Sequence, residues 1–214
     1  MNTTILKKWL IISAALFSLA VVSKASANEA PDVLIKRLSQ EIMTTAKNDK
    51  DIRGGNPKKI FAMVEQKVFP YVDFQRTTAL AAGKHWRAAT PSQREQLTKE
   101  FKDLLIYTYS GAVSQINNYK FQFRPFKADP LATDVIVQSR LVPLKGGEPI
   151  EISYRLEKQS DNAWKIYDMS VLNAWLVETY RGNFTGEISR SGMDGLIRSL
   201  AEKNRQLAKT PAKQ

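Results

Sequence analysis

The sequence predicts an α+β domain, a four-stranded antiparallel sheet covered on one face by amphipathic helices. Three observations carry that prediction. Residues before about 117 repeat apolar side chains at helical spacing, residues 119–171 alternate apolar with polar, and residues after 175 return to the helical repeat. The alternating stretches are joined by polar segments too short for the crossovers that parallel strands need. Such a layout builds either a filled core or an apolar pocket between sheet and helices, and periodicity alone fits the filled core better.

The chain of 214 residues begins with the features of a secretory signal. Lys7 and Lys8 precede an apolar run over residues 9–22, and Ala25-Ser26-Ala27 is a small-x-small cleavage site. The run of 14 residues falls short of the roughly 20 that a membrane span needs. Cleavage after Ala27 is expected, leaving one domain over residues 28–208 and a polar, frayed tail over 209–214. Cysteine is absent, which excludes disulfides, thiol catalysis, cysteine metal sites and the acylated anchor of a bacterial lipoprotein. Removing Lys7, Lys8 and Lys24 from the formal +11 leaves +8. The basic residues are dispersed, with no arginine-rich arm, so anionic lipid headgroups or acidic protein surfaces suit the charge better than nucleic acid.

The elements follow in order. Residues 31–47 read as a helix with Leu34, Leu38 and Ile42 on one stripe and Ile35 beside it. Residues 48–55 are polar, end in Gly54-Gly55 and read as a loop. Asn56 caps a second helix with Pro57 at its first position, and Pro70 ends it. A shorter helix covers 72–82, with Asp73 as cap and Arg76 as its partner three residues on. Gly83-Lys84-His85-Trp86-Arg87 is then a basic-aromatic corner. Thr90, Pro91 and Gln93 form a capping box opening a long helix to about residue 117, whose stripe is Leu97, Phe101, Leu104, Leu105, Thr108 and Ala112.

Tyr119, Phe121 and Phe123 alternate with polar residues, as do Val135, Val137 and Leu141, then Ile150, Ile152, Tyr154 and Leu156. A last strand runs from Ala163 to about Val171, with Trp164 and Ile166 facing inward and Asp168 on the same parity. Two helices close the chain, the first with Leu176, Tyr180, Phe184 and Ile188, the second capped by Ser191 with Met193, Ile197 and Leu200 inward.

Candidates for chemistry are few. His85 is the single histidine and sits in the basic corner; Asp168 suits a strand-end bulge or a hydrogen bond to a helix end better than catalysis. No phosphate loop, metal-ligand cluster or nucleophile motif occurs, so no catalytic residue, metal site or cofactor is assigned.

The wording of residues 69–113, FPYVDF followed by an arginine, GKHWR, AATPSQR, then Phe, Leu-Leu and Thr-Tyr, closely resembles the MlaC, or toluene-tolerance, family of periplasmic phospholipid carriers. Trp164-Lys165-Ile166-Tyr167-Asp168-Met169, Thr179-Tyr180-Arg181 with Phe184, and Ser191-Gly192-Met193-Asp194-Gly195-Leu196-Ile197 extend the resemblance to nearly the whole chain. One departure stands out: Asn173-Ala174-Trp175 occupies a place where relatives often have Gly-apolar-Ser. The resemblance implies a small sheet-and-helix fold of the NTF2-like type, a monomer with phospholipid as cargo and its acyl tails in an apolar pocket between the layers. It implies traffic between an inner-membrane ABC complex with its MCE-type subunit and an outer-membrane lipoprotein-porin complex, in the periplasm, maintaining outer-membrane lipid asymmetry.

Expected tail-pocket residues are Phe101, Leu104, Leu105, Phe121, Phe123, Val135, Val137, Ile152, Tyr154, Leu156, Trp164, Ile166, Leu176 and Tyr180. Trp175 is the candidate for the pocket mouth, and Arg53, Lys84, Arg87 and Arg181 for headgroup or partner contacts. Two other readings remain: an NTF2-like enzyme acting on a small apolar substrate, and a non-lipid adaptor binding an acidic partner.

Overall fold

The computed structural model describes residues 29–209. The expected signal segment and residues 210–214 of the expected tail lie outside them. Seven helices and five strands follow one another in the described chain: α1 (Pro31–Asn48), α2 (Lys50–Arg53), α3 (Pro57–Lys67), α4 (Phe74–Ala82), α5 (His85–Ala88), α6 (Pro91–Ser114), β1 (Tyr119–Phe123), β2 (Asp134–Pro143), β3 (Ile150–Lys158), β4 (Trp164–Val171), β5 (Ala174–Trp175) and α7 (Leu176–Leu207). Short 3-10 turns occupy Phe69–Tyr71 and Ile116–Asn118.

Local capping sets most helix starts. Thr90 Oγ1 accepts the Gln93 N–H and Gln93 Oε1 accepts the Thr90 N–H, closing the predicted box at the start of α6. Asn56 Oδ1 accepts the Lys58 and Lys59 N–H groups at the start of α3. Asp73 Oδ1 accepts the Arg76 N–H at 2.9 Å, so α4 begins at Phe74 and not at residue 72. The Arg76 side chain goes elsewhere: its guanidinium pairs with Glu157 of β3 at 2.6 Å and lies over the Tyr167 ring. The expected loop at 48–55 contains one helical turn, because Asp49 caps it and Ile52 buries its side chain. The GKHWR corner likewise winds into the single turn of α5. Arg94 ties that turn to α6 by donating to the carbonyls of Trp86 and Arg87.

The sheet is a meander in the order β1-β2-β3-β4-β5, all pairs antiparallel. It has five strands, not the predicted four. Leu172 and Asn173 both take positive φ, 51° and 67°, and make a tight two-residue hairpin. Ser170 then pairs with Trp175 and Val171 with Ala174. The departure at Asn173-Ala174-Trp175 is thus where the chain makes its extra strand.

A β-bulge in β4 corrects a second expectation. Leu156 pairs with Ile166 but Arg155 pairs with Asp168, so Tyr167 is an extra residue and the alternation changes sense there. Asp168 therefore lies on the opposite side of the sheet from Trp164 and Ile166. Its Oδ1 accepts the N–H groups of Met169 (2.9 Å) and Val177 (3.1 Å), and its Oδ2 accepts from Arg155 at 3.1 Å. Trp175, the residue at the helix N-cap, offers no capping side chain, and Asp168 does that work from the neighbouring strand. The two closing helices are one element kinked at Gly192 (φ 71°, ψ 179°). Ser191 does not cap the second half; its hydroxyl donates back to the Glu187 carbonyl at 3.0 Å.

Three apolar clusters hold these elements together. Leu34, Ile35 and Leu38 of α1 pack on the sheet. Leu97, Phe101 and Leu104 of α6 pack with Ala81 and Ala82 of α4 and with Phe184, Leu196, Ile197 and Leu200 of α7. Ala46, Ile52, Ile60, Met63 and Ile116 form the third. The predicted α6 stripe holds only through its first half. Thr108 and Ala112 are exposed, while Ile106, Ser110 and Ser114 are buried. The helix packs first on α4 and α7 and then on α3, so the buried face rotates along it.

Candidate functional site

The strand registers place one set of side chains on a common face of the sheet. Phe121 and Phe123 of β1 lie opposite Leu141 and Ser139 of β2. Val135, Val137 and Ser139 lie opposite Leu156, Tyr154 and Ile152 of β3. These meet Ile166, Met169 and Val171 of β4, with Trp164 at the strand's start. The alternation of β1, β2 and β3 dictates this face, and the bulge adds Met169 to it, a residue that simple parity assigns to the other side.

The centre of the face is buried and its margin is not. Val135, Val137, Ile152, Tyr154, Leu156 and Ile166 are buried beneath α1. Around them Tyr71, Phe121, Phe123, Phe126, Trp164 and Met169 are only half buried. The Phe121 and Phe123 rings stack with centroids 5.8 Å apart. Burial pushes the Tyr154 phenol above its ordinary range, with the neighbouring Ser139 and Ser39 hydroxyls pulling the other way.

Nine of the expected pocket residues share this face: Phe121, Phe123, Val135, Val137, Ile152, Tyr154, Leu156, Trp164 and Ile166. The others do not. Phe101, Leu104, Leu105 and Tyr180 belong to the α4–α6–α7 cluster, where the Phe101 ring meets Tyr180 and Phe184 edge-on, each at 4.9 Å. Leu176 is buried at the start of α7, which packs against β4 and β5. A helical stripe specifies that a face is buried but not which partner buries it, and this separates the two groups. Sequence reasoning overlooked Tyr71, Phe126, Met169, Ser139 and the roof residues Leu34, Ile35 and Leu38 as parts of the site. Ser139 was findable, since it shares the parity of Val135 and Val137.

Trp175 is not on the apolar face. Its ring receives the Arg155 guanidinium at 3.8 Å, and Arg155 points to the opposite side with Ser153 and Glu157. The basic candidates are spread over two places. Arg53 donates to the Lys47 carbonyl at the end of α1. Lys84 and Arg87 are exposed at the corner between α4 and α6, and Arg181 donates to the Leu80 carbonyl of α4 at 3.1 Å. Asp168 is engaged by two backbone amides and Arg155 on the side away from the apolar face, and His85 sits in the α5 turn, so neither faces it.

Among the described residues no helix is long and apolar enough to cross a membrane. A meandering sheet with one apolar, aromatic-rimmed face roofed by an amphipathic helix defines an α+β protein. The model of the MlaC protein family matches residues 36–202, and the chain belongs to that family. It is 24% identical over 204 residues to the intermembrane phospholipid transport system binding protein MlaC of Haemophilus influenzae, covering 94% of this chain and 95% of that protein. It is 24% identical over 192 residues to the toluene tolerance protein ttg2D of Pseudomonas putida, covering 89% and 86%. The solved structure of a phospholipid-binding protein from Ralstonia solanacearum, in complex with a phospholipid, superimposes with a TM-score of 0.77. The identity there is 43%, and the match covers 83% of this chain and 98% of that one.

Proposed function

We propose that this protein is a periplasmic phospholipid carrier that holds acyl tails against the apolar sheet face, between the sheet and its helical roof. The observation that carries the reading is the face itself: a buried aliphatic centre ringed by half-buried Tyr71, Phe121, Phe123, Phe126 and Trp164. The Ralstonia relative, solved with a phospholipid on a like fold, supports it. In this reading the carrier moves lipid between an inner-membrane ABC complex with an MCE-type subunit and an outer-membrane lipoprotein-porin complex, and so helps maintain outer-membrane lipid asymmetry. Phospholipid is cargo, and the protein acts as a monomer without a cofactor.

The energetics need no fuel at the carrier. Each buried methylene contributes roughly 0.8 kcal/mol, so two tails of about 15 groups amount to on the order of 24 kcal/mol relative to water. That gross figure exceeds the ceiling of about 18–21 kcal/mol for observed affinities. A bilayer offers the tails nearly the same stabilisation, so exchange between protein and membrane is close to balanced and direction comes from the partner complexes. The kinetic barrier is the brief wetting of the tails, which docking lowers.

Lipid mass spectrometry on the protein purified without detergent tests the reading. Stoichiometric phospholipid in the organic extract is the expected result. Protein that carries none and takes none up from vesicles sinks the proposal. The site is tested by parity: Ile152→Asp or Tyr154→Asp abolishes retention, whereas Ser153→Asp, on the opposite side of the sheet, leaves it nearly intact. Equal losses at both parities would show that tails lie elsewhere.

A further inference from the structure

The sheet face is not uniformly apolar. Ser139 stands in the β2 row of Val135 and Val137, with Phe123 of β1 on one side and Ile152 of β3 on the other. It is 0% exposed, and no hydrogen bond reaches its Oγ. The Tyr154 hydroxyl lies near those of Ser139 and Ser39. Ser39, buried on α1, donates its proton to the Ile35 carbonyl at 2.7 Å, which leaves only its lone pairs for a neighbour.

These three hydroxyls converge where aliphatic side chains pack best. An unpaired buried hydroxyl is destabilising relative to an apolar group of similar size, and the valines on the same row show that the strand accommodates one. The Tyr154 oxygen keeps lone pairs whichever way its proton turns, yet no acceptor stands within hydrogen-bonding geometry of Ser139 Oγ, so the Ser139 proton is unused. The guest that satisfies it must be apolar on both sides and carry an uncharged acceptor, because a charge in this setting would be costly. In a lipid that group is the acyl carbonyl. We propose that Ser139, assisted by Tyr154, is a hydrogen-bonding anchor for the acyl carbonyl of the bound lipid. The proposal rests on the carrier reading of the same face and adds to it a chemical selectivity: the protein recognises the acyl linkage and fixes the depth at which the tails sit.

The test offers the lipid-free protein mixed vesicles holding equal amounts of dipalmitoyl phosphatidylglycerol and its dihexadecyl ether analogue, which has the same headgroup and chain length but lacks the carbonyls. Mass spectrometry of the retained lipid reads the ester-to-ether ratio. The native protein is expected to enrich the ester about three- to tenfold, as one or two neutral hydrogen bonds would. Ser139→Ala is expected to bring the ratio close to one, with a thermal melt confirming that the variant folds. Tyr154→Phe, which keeps the ring, is expected to lower the ratio partway. Equal uptake of both lipids by the native protein overturns the anchor alone, as does enrichment that survives both substitutions. Uptake of neither lipid overturns the carrier reading and the anchor with it. Palmitate serves as a third probe, since a free acid also brings a carbonyl. Loss of palmitate uptake in Ser139→Ala, with ester enrichment unchanged, would assign the hydroxyls to a free fatty acid and defeat the proposal.

Discussion

Phe101 and Tyr154 are both buried aromatic residues at the centre of an apolar cluster, and their surroundings differ. Around Phe101 the rings of Tyr180 and Phe184 pack edge-on and aliphatic side chains from α4, α6 and α7 close the space. Around Tyr154 the packing includes two serines, one of them without a partner, and the margin is a belt of half-exposed rings. The first cluster also has half-buried residues at its margin, Trp86, Tyr180 and Met193 among them, but no unpaired hydroxyl at its centre. The second holds an unpaired hydroxyl at its centre as well as a half-buried aromatic margin. The difference teaches that two clusters of like burial can differ in whether their interior polar groups are paired.

Substitutions that test each cluster can break this comparison. Phe101→Ala should cost about 3–5 kcal/mol of stability, measured by denaturant unfolding, with no recovery on adding lipid. Leu156→Ala, in the sheet cluster, should cost about 2–5 kcal/mol in the lipid-free protein. Lipid should return part of that loss, because a ligand that binds only the folded state stabilises it by mass action. Lipid rescue of equal size at both sites would erase the distinction between the clusters. Thr90→Ala touches neither interior and should cost about 1 kcal/mol through the lost cap.

The smallest expected effect is a slope. Burial pushes the Asp168 carboxyl above its ordinary value of 3.8, against the Val177 and Met169 amides and Arg155, with Glu178 pushing the same way as burial. A carboxyl raised in the folded state binds its proton more tightly there than in the unfolded chain. Its contribution to stability is therefore fully present below 3.8 and declines as pH rises through the raised value. Asp168→Asn should remove that component from the pH profile of the unfolding midpoint, which a pH series of thermal melts would read.

Much of this architecture was legible wherever a local signal is self-contained. Thr90 with Gln93, Asn56 with Pro57, and Asp73 each announce a helix start through backbone groups within three residues. The alternation in β1, β2, β3 and the start of β4 places nine of the expected side chains on one common face. Legibility failed where the outcome depends on a distant partner. Nothing in α6 itself says that Leu97, Phe101 and Leu104 meet α7 and not the sheet. Alternation through Trp164, Ile166 and Asp168 reads as one unbroken strand, and only the pairing with β3 shows Tyr167 as the extra residue.

The meander has a consequence for how the chain reaches its native state. Every strand's neighbour in the sheet is also its neighbour in the sequence, so each hairpin closes a short loop at small entropic cost. The roof is the opposite case. Leu34, Ile35 and Leu38 leave the ribosome early, yet the surface they cover is completed only at β4, far along the chain. Chain entropy therefore favours an order in which the hairpins zip first and the earliest helix docks last. With no cysteine to pin it, α1 is held on the sheet by side-chain packing, and hydrogen exchange should find its amides opening before those of β2 and β3.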